Sequence, residues 1–329
     1  MMRRPRFLPD NFTLMLIASV ALASLLPCRG QVAIDFNLLT NIAISLLFFL
    51  HGAKLSREAA LAGFTHWRLH LMVLAATFAV FPLLGLLLKP VLGLLVTPAL
   101  YLGVLYICVL PSTVQSSIAF TSVAHGNIPA AVCSASASSL IGIFITPILV
   151  GMMIMQHDGS AGYDAGHAVL QIVILLLIPF LAGQVLRRWI FSWIQRHPKL
   201  VKVVDQGSIL LVVYTAFSEA VIEGLWHQLP IPALLGVLVI CAILLAIMML
   251  LTTYASRWLG FDKADEITIV FCGSKKSLAS GIPMAKVLFL GHPIGLLVLP
   301  LMLFHQLQLM VCAVLAQRYA GRIKSDRTS

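Results

Sequence analysis

Charge is what this sequence has least of. Lys, Arg, Asp and Glu make up 10% of its 329 residues, against about 25% in an ordinary soluble domain. That scarcity excludes a disordered chain and a charge-laced coiled coil. Polar stretches long enough to form a separate soluble domain are also missing. The apolar share is 60%, and a soluble enzyme that apolar would expose large adhesive patches. Short segments of alternating polarity, the mark of a spanning β-barrel, are absent, because the apolar runs are long and continuous. No HExxH, paired-carboxylate, glycine-rich phosphate or metal-spacing motif occurs, so neither a catalytic residue nor a metal site is expected. The six cysteines form no CxxC and no pairing framework, and they read as small apolar packing residues. What is left is an all-α polytopic membrane protein, since lipid admits only helices and closed barrels.

A spanning helix takes about 20 mainly apolar residues. Cutting the chain at its polar breaks leaves ten candidate spans, near 11–28, 34–52, 68–89, 97–125, 128–154, 166–186, 207–224, 232–256, 265–289 and 293–317. With the N-terminus placed in the cytoplasm, 17 of the 22 Lys and Arg fall on the cytoplasmic side. Arg29 and Lys89 fall on the other, and Lys275, Lys276 and Lys286 within a span. The net charge of +10 is then a topology signal of the positive-inside kind. It needs no nucleic-acid partner. The expected location is the cell inner membrane, multi-pass, with both termini cytoplasmic. The basic start MMRRPR and the first apolar run have the outline of a signal peptide. A second span follows at once, so the first run reads as a retained helix.

The polar segment 156–167 divides five spans from five, giving a first repeat over 1–155 and a second over 168–329 that contains the basic loop 187–206. An odd number of spans per half inverts the second half, the arrangement of many secondary transporters. Helix breakers fall at matching places. LPSTVQSS, residues 110–117, interrupts span four, and CGSKKSLASGIP, residues 272–283, interrupts span nine. Paired interruptions of this kind point to a midplane binding site. The loop RRWIFSWIQRHPKLVKVVDQ suits either a topology-setting connector or an amphipathic interfacial helix.

Polar side chains are expensive in a bilayer, so each is a candidate. The densest set is Ser112, Thr113, Gln115, Ser116 and Ser117 after Pro111. Ser134 and Ser136 lie in span five, where SASASS equally suits close helix packing. Gly273, Ser274, Lys275, Lys276 and Ser277 lie in span nine. Two adjacent ammonium groups there cost about 2.5–3.5 kcal/mol each on insertion scales unless something compensates them. Glu219 in span seven is the one acid well inside a span. It is expected within reach of Lys275 or Lys276, the alternative being a water-facing place like that of Glu223. His305 in span ten is either a packing residue or a proton relay. A Ser–Lys hydrolase pair, Ser274 or Ser277 with Lys276, is a further alternative.

The segments LPSTVQSSIAFTSVAHGNIPAAVCSASASSL and ADEITIVFCGSKKSLASGIPMA resemble the bile acid:sodium symporter superfamily, and more closely its YfeH-type branch. HGAKLSREA, SILLVVYTAFSEAV and LPLMLFHQLQLMVCAVLAQRY fit the same branch, so the resemblance covers nearly the whole chain. It implies ten transmembrane helices as two inverted five-helix repeats. Spans one, two, six and seven would form a panel, the others a core in which broken helices four and nine cross. It implies transport by alternating access of an organic anion or amphipathic metabolite, and sodium as the coupling ion. The sodium positions carry over only in part: Gly273 and Ser277 are kept at one site, and Ser116 and Ser117 match at the other. The acidic position matches Phe271, a glutamine and an asparagine position match Lys275 and Lys276, and a third-span glutamine matches Thr77. Fifth-span hydroxyl positions match Ala131 and Ala135. Too few oxygen ligands are left for a hard cation, and Lys275 is expected to replace the sodium electrostatically. No cofactor is implied. Proton coupling, uncoupled transport and a non-transporting sensor stay open beside the sodium-coupled reading.

Overall fold

The computed structural model describes residues 11–54, 66–92, 96–155, 170, 173–222, 224, 231–289 and 294–326. The expected connector 156–167, the basic start and Glu223 lie outside these residues. Among the described residues there are helices and no strand, and seven helices are long and apolar enough to cross a membrane. Large apolar side chains such as Ile17, Leu87, Val185 and Leu235 are exposed, while many hydroxyls, the Gln308 amide and three lysines are buried. That is the inversion expected of a chain that faces lipid.

In chain order the helices are α1 (Asn11–Leu25), α2 (Gly30–Lys54), α3 (Trp67–Leu87), α4 (Pro98–Val109), α5 (Gln115–Val123) and α6 (Ile128–Val150). They continue as α7 (Ile178–Arg196), α8 (Pro198–Ile222), α9 (Ile231–Trp258), α10 (Lys263–Gly273), α11 (Leu278–Leu288) and α12 (Ile294–Asp326). The stretch 187–206, for which the sequence leaves a connecting loop and an amphipathic helix both open, is helical on both sides of His197. α7 runs through its basic residues to Arg196, and Pro198 supplies the pre-set φ of a new helix start.

Two compact units emerge, and neither follows the two sequence halves. Unit 1 holds residues 1–54, 170–229 and 282–296, hence α1, α2, α7, α8 and the later turns of α11. α2 and α7 approach closely because Gly52 and Gly183 carry no Cβ. A Cβ on Gly52 would run into the Phe180 carbonyl, and one on Gly183 into the Phe49 carbonyl. Small residues allow this contact where no hydrophobic effect drives helices together. At the same end of the unit Lys54 Nζ meets Asp205 Oδ2 at 2.5 Å.

Unit 2 holds residues 55–169, 230–281 and 297–329. α10 lies against α3, α5, α6 and α9. Its start is capped by Asp262, whose carboxylate accepts from Asp265 N at 2.7 Å, and α6 is capped by Asn127. Arg257 and Lys263 both bind Glu266, at 3.0 and 2.6 Å. The interruptions seen in the sequence are real breaks. Leu110, just before Pro111, is extended with φ −75° and ψ 154°, as the pyrrolidine ring requires of its predecessor. Helix resumes at Gln115, and residues 274–277 separate α10 from α11.

Candidate functional site

A broken helix leaves carbonyls without donors, and where they go defines the site. In unit 2 the breaks at 110–114 and 274–277 satisfy each other. Ser277 N donates to Pro111 O at 2.9 Å. Ser117 Oγ donates to Phe271 O at 3.0 Å and Ser112 Oγ to Cys272 O at 2.5 Å. Val109 O accepts from Thr146 Oγ1 at 2.8 Å. Ser112 N, which a continuous helix would direct to Cys108 O, donates to Ser138 Oγ instead. The carbonyls of Cys108 and Leu110 therefore need another donor.

Lys276 is that donor. Its Nζ lies 2.8 Å from Cys108 O, 2.7 Å from Leu110 O and 2.8 Å from Thr77 O. The third carbonyl is free for a local reason. Residues Ala76–Val80 form a π turn within α3, so the donor to Thr77 O would be the N–H of residue 82, which is Pro82. An ammonium has three donors, and all three are used. The Phe81 ring also faces the ammonium, its centroid 4.2 Å from Nζ. Lys276 has no exposed surface. Its main chain is held as firmly. Gln308 Oε1 accepts from Lys276 N, and Gln308 Nε2 donates to Lys276 O, both at 2.9 Å. Gln308 Nε2 also lies 2.9 Å from His305 Nδ1.

Lys275 is equally buried but differently placed. Its Nζ donates to Ser116 Oγ at 3.0 Å and lies 4.5 Å from the centroid of the Phe120 ring. Ser116 belongs to a hydroxyl cluster, with Thr113 Oγ1 2.8 Å from Ser116 Oγ and 3.0 Å from Ser117 Oγ. Its one side-chain hydrogen bond is made to this cluster. The ammonium that sits among carbonyls is thus that of Lys276, and that of Lys275 sits beside hydroxyls.

Most of the expected residues converge. Pro111, Ser112, Thr113, Ser274, Lys275, Lys276 and Ser277 form the two breaks, Ser116, Ser117, Phe271 and Gly273 flank them, Thr77 joins through its carbonyl, and His305 joins through Gln308. Ser274 Oγ is turned back onto Val270 O at 2.6 Å and Ser277 Oγ onto Ser280 Oγ at 3.2 Å. With Lys276 committed to carbonyls, neither serine is paired to it as a nucleophile would be to its base. Gln115 is exposed at the start of α5 and Ser136 is half-buried on α6. Ser134 lies away from the crossing, 2.6 Å from His70 Nδ1. Ala131 and Ala135 sit in an apolar cluster with Leu69, Val73, Ile269 and Cys272. Among the described residues no three His, Cys, Asp or Glu side chains converge as a metal site would require.

Glu219 belongs to unit 1. Its Oε1 accepts from Asn37 Nδ2 at 3.1 Å, and Asn37 Oδ1 accepts from Lys286 Nζ at 2.6 Å. The sequence reading named Gln308 beside His305 without giving it a role, and did not single out Asn37 or the contacts of Lys286. Gln308 carried a signal, a second amide two residues after Gln306 in an apolar run.

The chain matches the SBF-like CPA transporter family over residues 10–321. It is 66% identical over 321 residues to the uncharacterized protein PA2026 of Pseudomonas aeruginosa, covering 98% of this chain and 96% of that one. It is 56% identical over 310 residues to the Escherichia coli protein named "Putative symporter YfeH", covering 94% and 92%. The rat protein named sodium/bile acid cotransporter 7 is 28% identical over 292 residues, covering 88% and 84%. A largely helical apolar chain with paired helix breaks around buried lysines, matched over residues 10–321, belongs to the SBF-like CPA transporter family of the bile acid:sodium symporter superfamily.

Proposed function

We propose that this protein is a secondary carrier that moves an amphipathic organic anion by alternating access, and that its crossing needs no sodium ion. In this reading ten helices form two inverted repeats in the inner membrane, with both termini cytoplasmic. The grouping of α1, α2, α7 and α8 in one unit supports a panel, with the remaining spans as the core.

The observation that carries the proposal is Lys276. Three carbonyl oxygens converge on its Nζ at 2.7–2.8 Å. Carbonyl oxygens in such a set are the ligands a hard cation takes, and here a covalently tethered ammonium holds their focus. Phe271 stands where the sodium-coupled branch places an acid. Its ring packs on Phe120 and Tyr319, with centroids 6.0 and 6.2 Å away, and offers no oxygen. The residues present therefore do not fit a sodium ion at this place, and no step is assigned to one. Lys275 has the complementary role. A buried ammonium with one hydrogen bond is expensive, and the carboxylate or sulfonate of a substrate would complete it beside Thr113, Ser116 and Ser117. The cotransporter name of the 28% identical relatives supports a bile-acid-like amphiphile as the first probe.

The test is uptake of taurocholate by reconstituted vesicles under an inward sodium gradient and under a matched potassium gradient. Equal rates are expected. Uptake that requires sodium would overturn the sodium-free crossing. Absence of uptake in both arms would overturn the substrate class.

A further inference from the structure

We propose that the outer face of α7 is a binding site for an anionic phospholipid, with Arg187 and Arg188 as the seat of its phosphate. The inference stands on unit 1 alone and does not depend on the carrier reading.

The outer stripe of α7 changes character partway along. Ile178, Leu181, Val185, Arg188, Ser192 and Arg196 follow one another at intervals of three or four residues, so they share one face of the helix. All six are exposed. The first three are aliphatic and make a track of roughly 10 Å, suited to an acyl chain. The last three are two arginines and a serine. Trp189 and Trp193 are exposed beside this polar half. Tryptophan and arginine at the end of an aliphatic stripe mark the level of lipid headgroups. The other side of α7 is closed. Gly183 lies against the Phe49 carbonyl of α2, and Ile194 packs with Leu50 and Ala53.

The guanidinium groups are positioned and unfilled. The Arg188 group lies 3.8 Å from the centroid of the Trp189 ring, and the Arg187 group 4.5 Å from that of Phe191. Stacking of this kind orients the planar fork and leaves its edge N–H groups for an acceptor. Arg187 Nε is shielded from solvent and has no hydrogen-bond partner among the described residues. A shielded N–H left without an acceptor is costly. A phosphate oxygen entering beside Phe191 would satisfy it, and phosphate matches the arginine fork in geometry.

The surrounding charge selects the headgroup. Residues 187–206 hold five basic side chains, Arg187, Arg188, Arg196, Lys199 and Lys202, and one acid, Asp205. Asp205 is already taken by Lys54 at 2.5 Å. Among the described residues none of the five basic side chains has an ion-pair partner. Val201, early in α8, packs in the same cluster as Ile194, so the basic residues on both sides of His197 are held on one base. A zwitterionic headgroup would bring its own ammonium into this positive field. A headgroup of net negative charge, such as phosphatidylglycerol, brings none and gains from each basic neighbour.

The test is native mass spectrometry of the full chain in a neutral detergent, with dioleoylphosphatidylglycerol and dioleoylphosphatidylcholine at equal concentrations. An arginine near an anionic headgroup contributes about fivefold, so the wild type should retain phosphatidylglycerol about 25-fold over phosphatidylcholine. Arg187→Gln/Arg188→Gln should bring that ratio near one. Arg29→Gln, just before the opposite end of α2, should leave it unchanged. Arg187→Lys keeps the charge and loses the Nε–H, and should lower the ratio too. If the double variant fails to fold, Arg188→Gln alone, at its exposed position, should lower the ratio about fivefold. A wild-type ratio near one, or a double variant that matches the wild type, overturns the proposal. An Arg187→Lys variant that matches the wild type would reduce the seat to diffuse charge and overturn the part given to Arg187. Displacement of the lipid by an equal concentration of glycerol 3-phosphate would show an anion site without an acyl track, and would overturn the lipid as its occupant.

Discussion

Lys276→Ala empties the centre of the crossing, and its consequences can be worked from the contacts. Three buried carbonyls lose their shared donor, and a buried acceptor left unsatisfied costs about 1–3 kcal/mol. The aliphatic stem adds about 0.8 kcal/mol for each methylene removed from its apolar surroundings. Against this, the fold no longer buries an ammonium, which returns several kcal/mol. The net loss should be about 2–5 kcal/mol. At roughly 2–4 °C per kcal/mol for a chain above 150 residues, that is a drop in melting temperature of about 5–15 °C in potassium buffer. The three carbonyls remain held by Pro82, Pro111 and the crossing contacts, so the vacated point suits a small cation. Sodium at 100 times its dissociation constant would return about 2.7 kcal/mol, restoring much of the loss. The assay is thermal unfolding of wild type and variant in sodium and in potassium at equal ionic strength. The expected pattern is no sodium effect in wild type and a saturating, sodium-specific rescue of Lys276→Ala. A variant as stable as wild type in potassium, or one indifferent to sodium, would refute the reasoning.

Other expectations follow from single contacts. Lys275→Gln should leave the fold intact or slightly stabilised, because it removes a buried charge with one hydrogen bond, and it should abolish the thermal stabilisation of wild type by submicellar taurocholate. Gly183→Ala should destabilise unit 1 by about 1–3 kcal/mol, since its Cβ would press on the Phe49 carbonyl; a melting curve like that of the wild type would show that the two helices separate without penalty. Tyr106→Phe removes the donor 2.6 Å from Gly281 O at the start of α11 and should lower stability by about 1 kcal/mol in the same assay.

Much of this was legible in the residues, and what was not has physical reasons. Hydropathy marked the helices because lipid leaves so few ways to satisfy a backbone. Pro111 marked the first break, because an X-Pro bond forces its predecessor out of the helical region, and Gly273 marked the second, which falls at 274–277, whereas Pro283 sits inside α11. The lysine pair was conspicuous by its expense. Its division of labour was not legible, since adjacent residues at a break point in different directions. Which of them meets carbonyls depends on the π turn at Ala76–Val80 and on Pro82, a local register that no periodicity announces. The part played by Thr77 was hidden for the same reason: its carbonyl reaches Lys276, while its hydroxyl turns back to Val73 O at 2.8 Å. Glu219 was visible as a costly acid, but its neighbours were not. Asn37 is a neutral amide in an apolar helix, and Lys286, near a span end, looks like an ordinary interfacial lysine. The basic stretch 187–206 left loop and amphipathic helix both open because charge and tryptophan interrupt the apolar pattern, and helix tolerates both.

The most direct test of the central claim is sodium binding to the wild-type protein, measured by equilibrium dialysis with radioactive sodium against a potassium background. If the ammonium of Lys276 holds the place of the cation, no saturable sodium binding will be found. One saturable, potassium-resistant sodium site per chain would contradict the account.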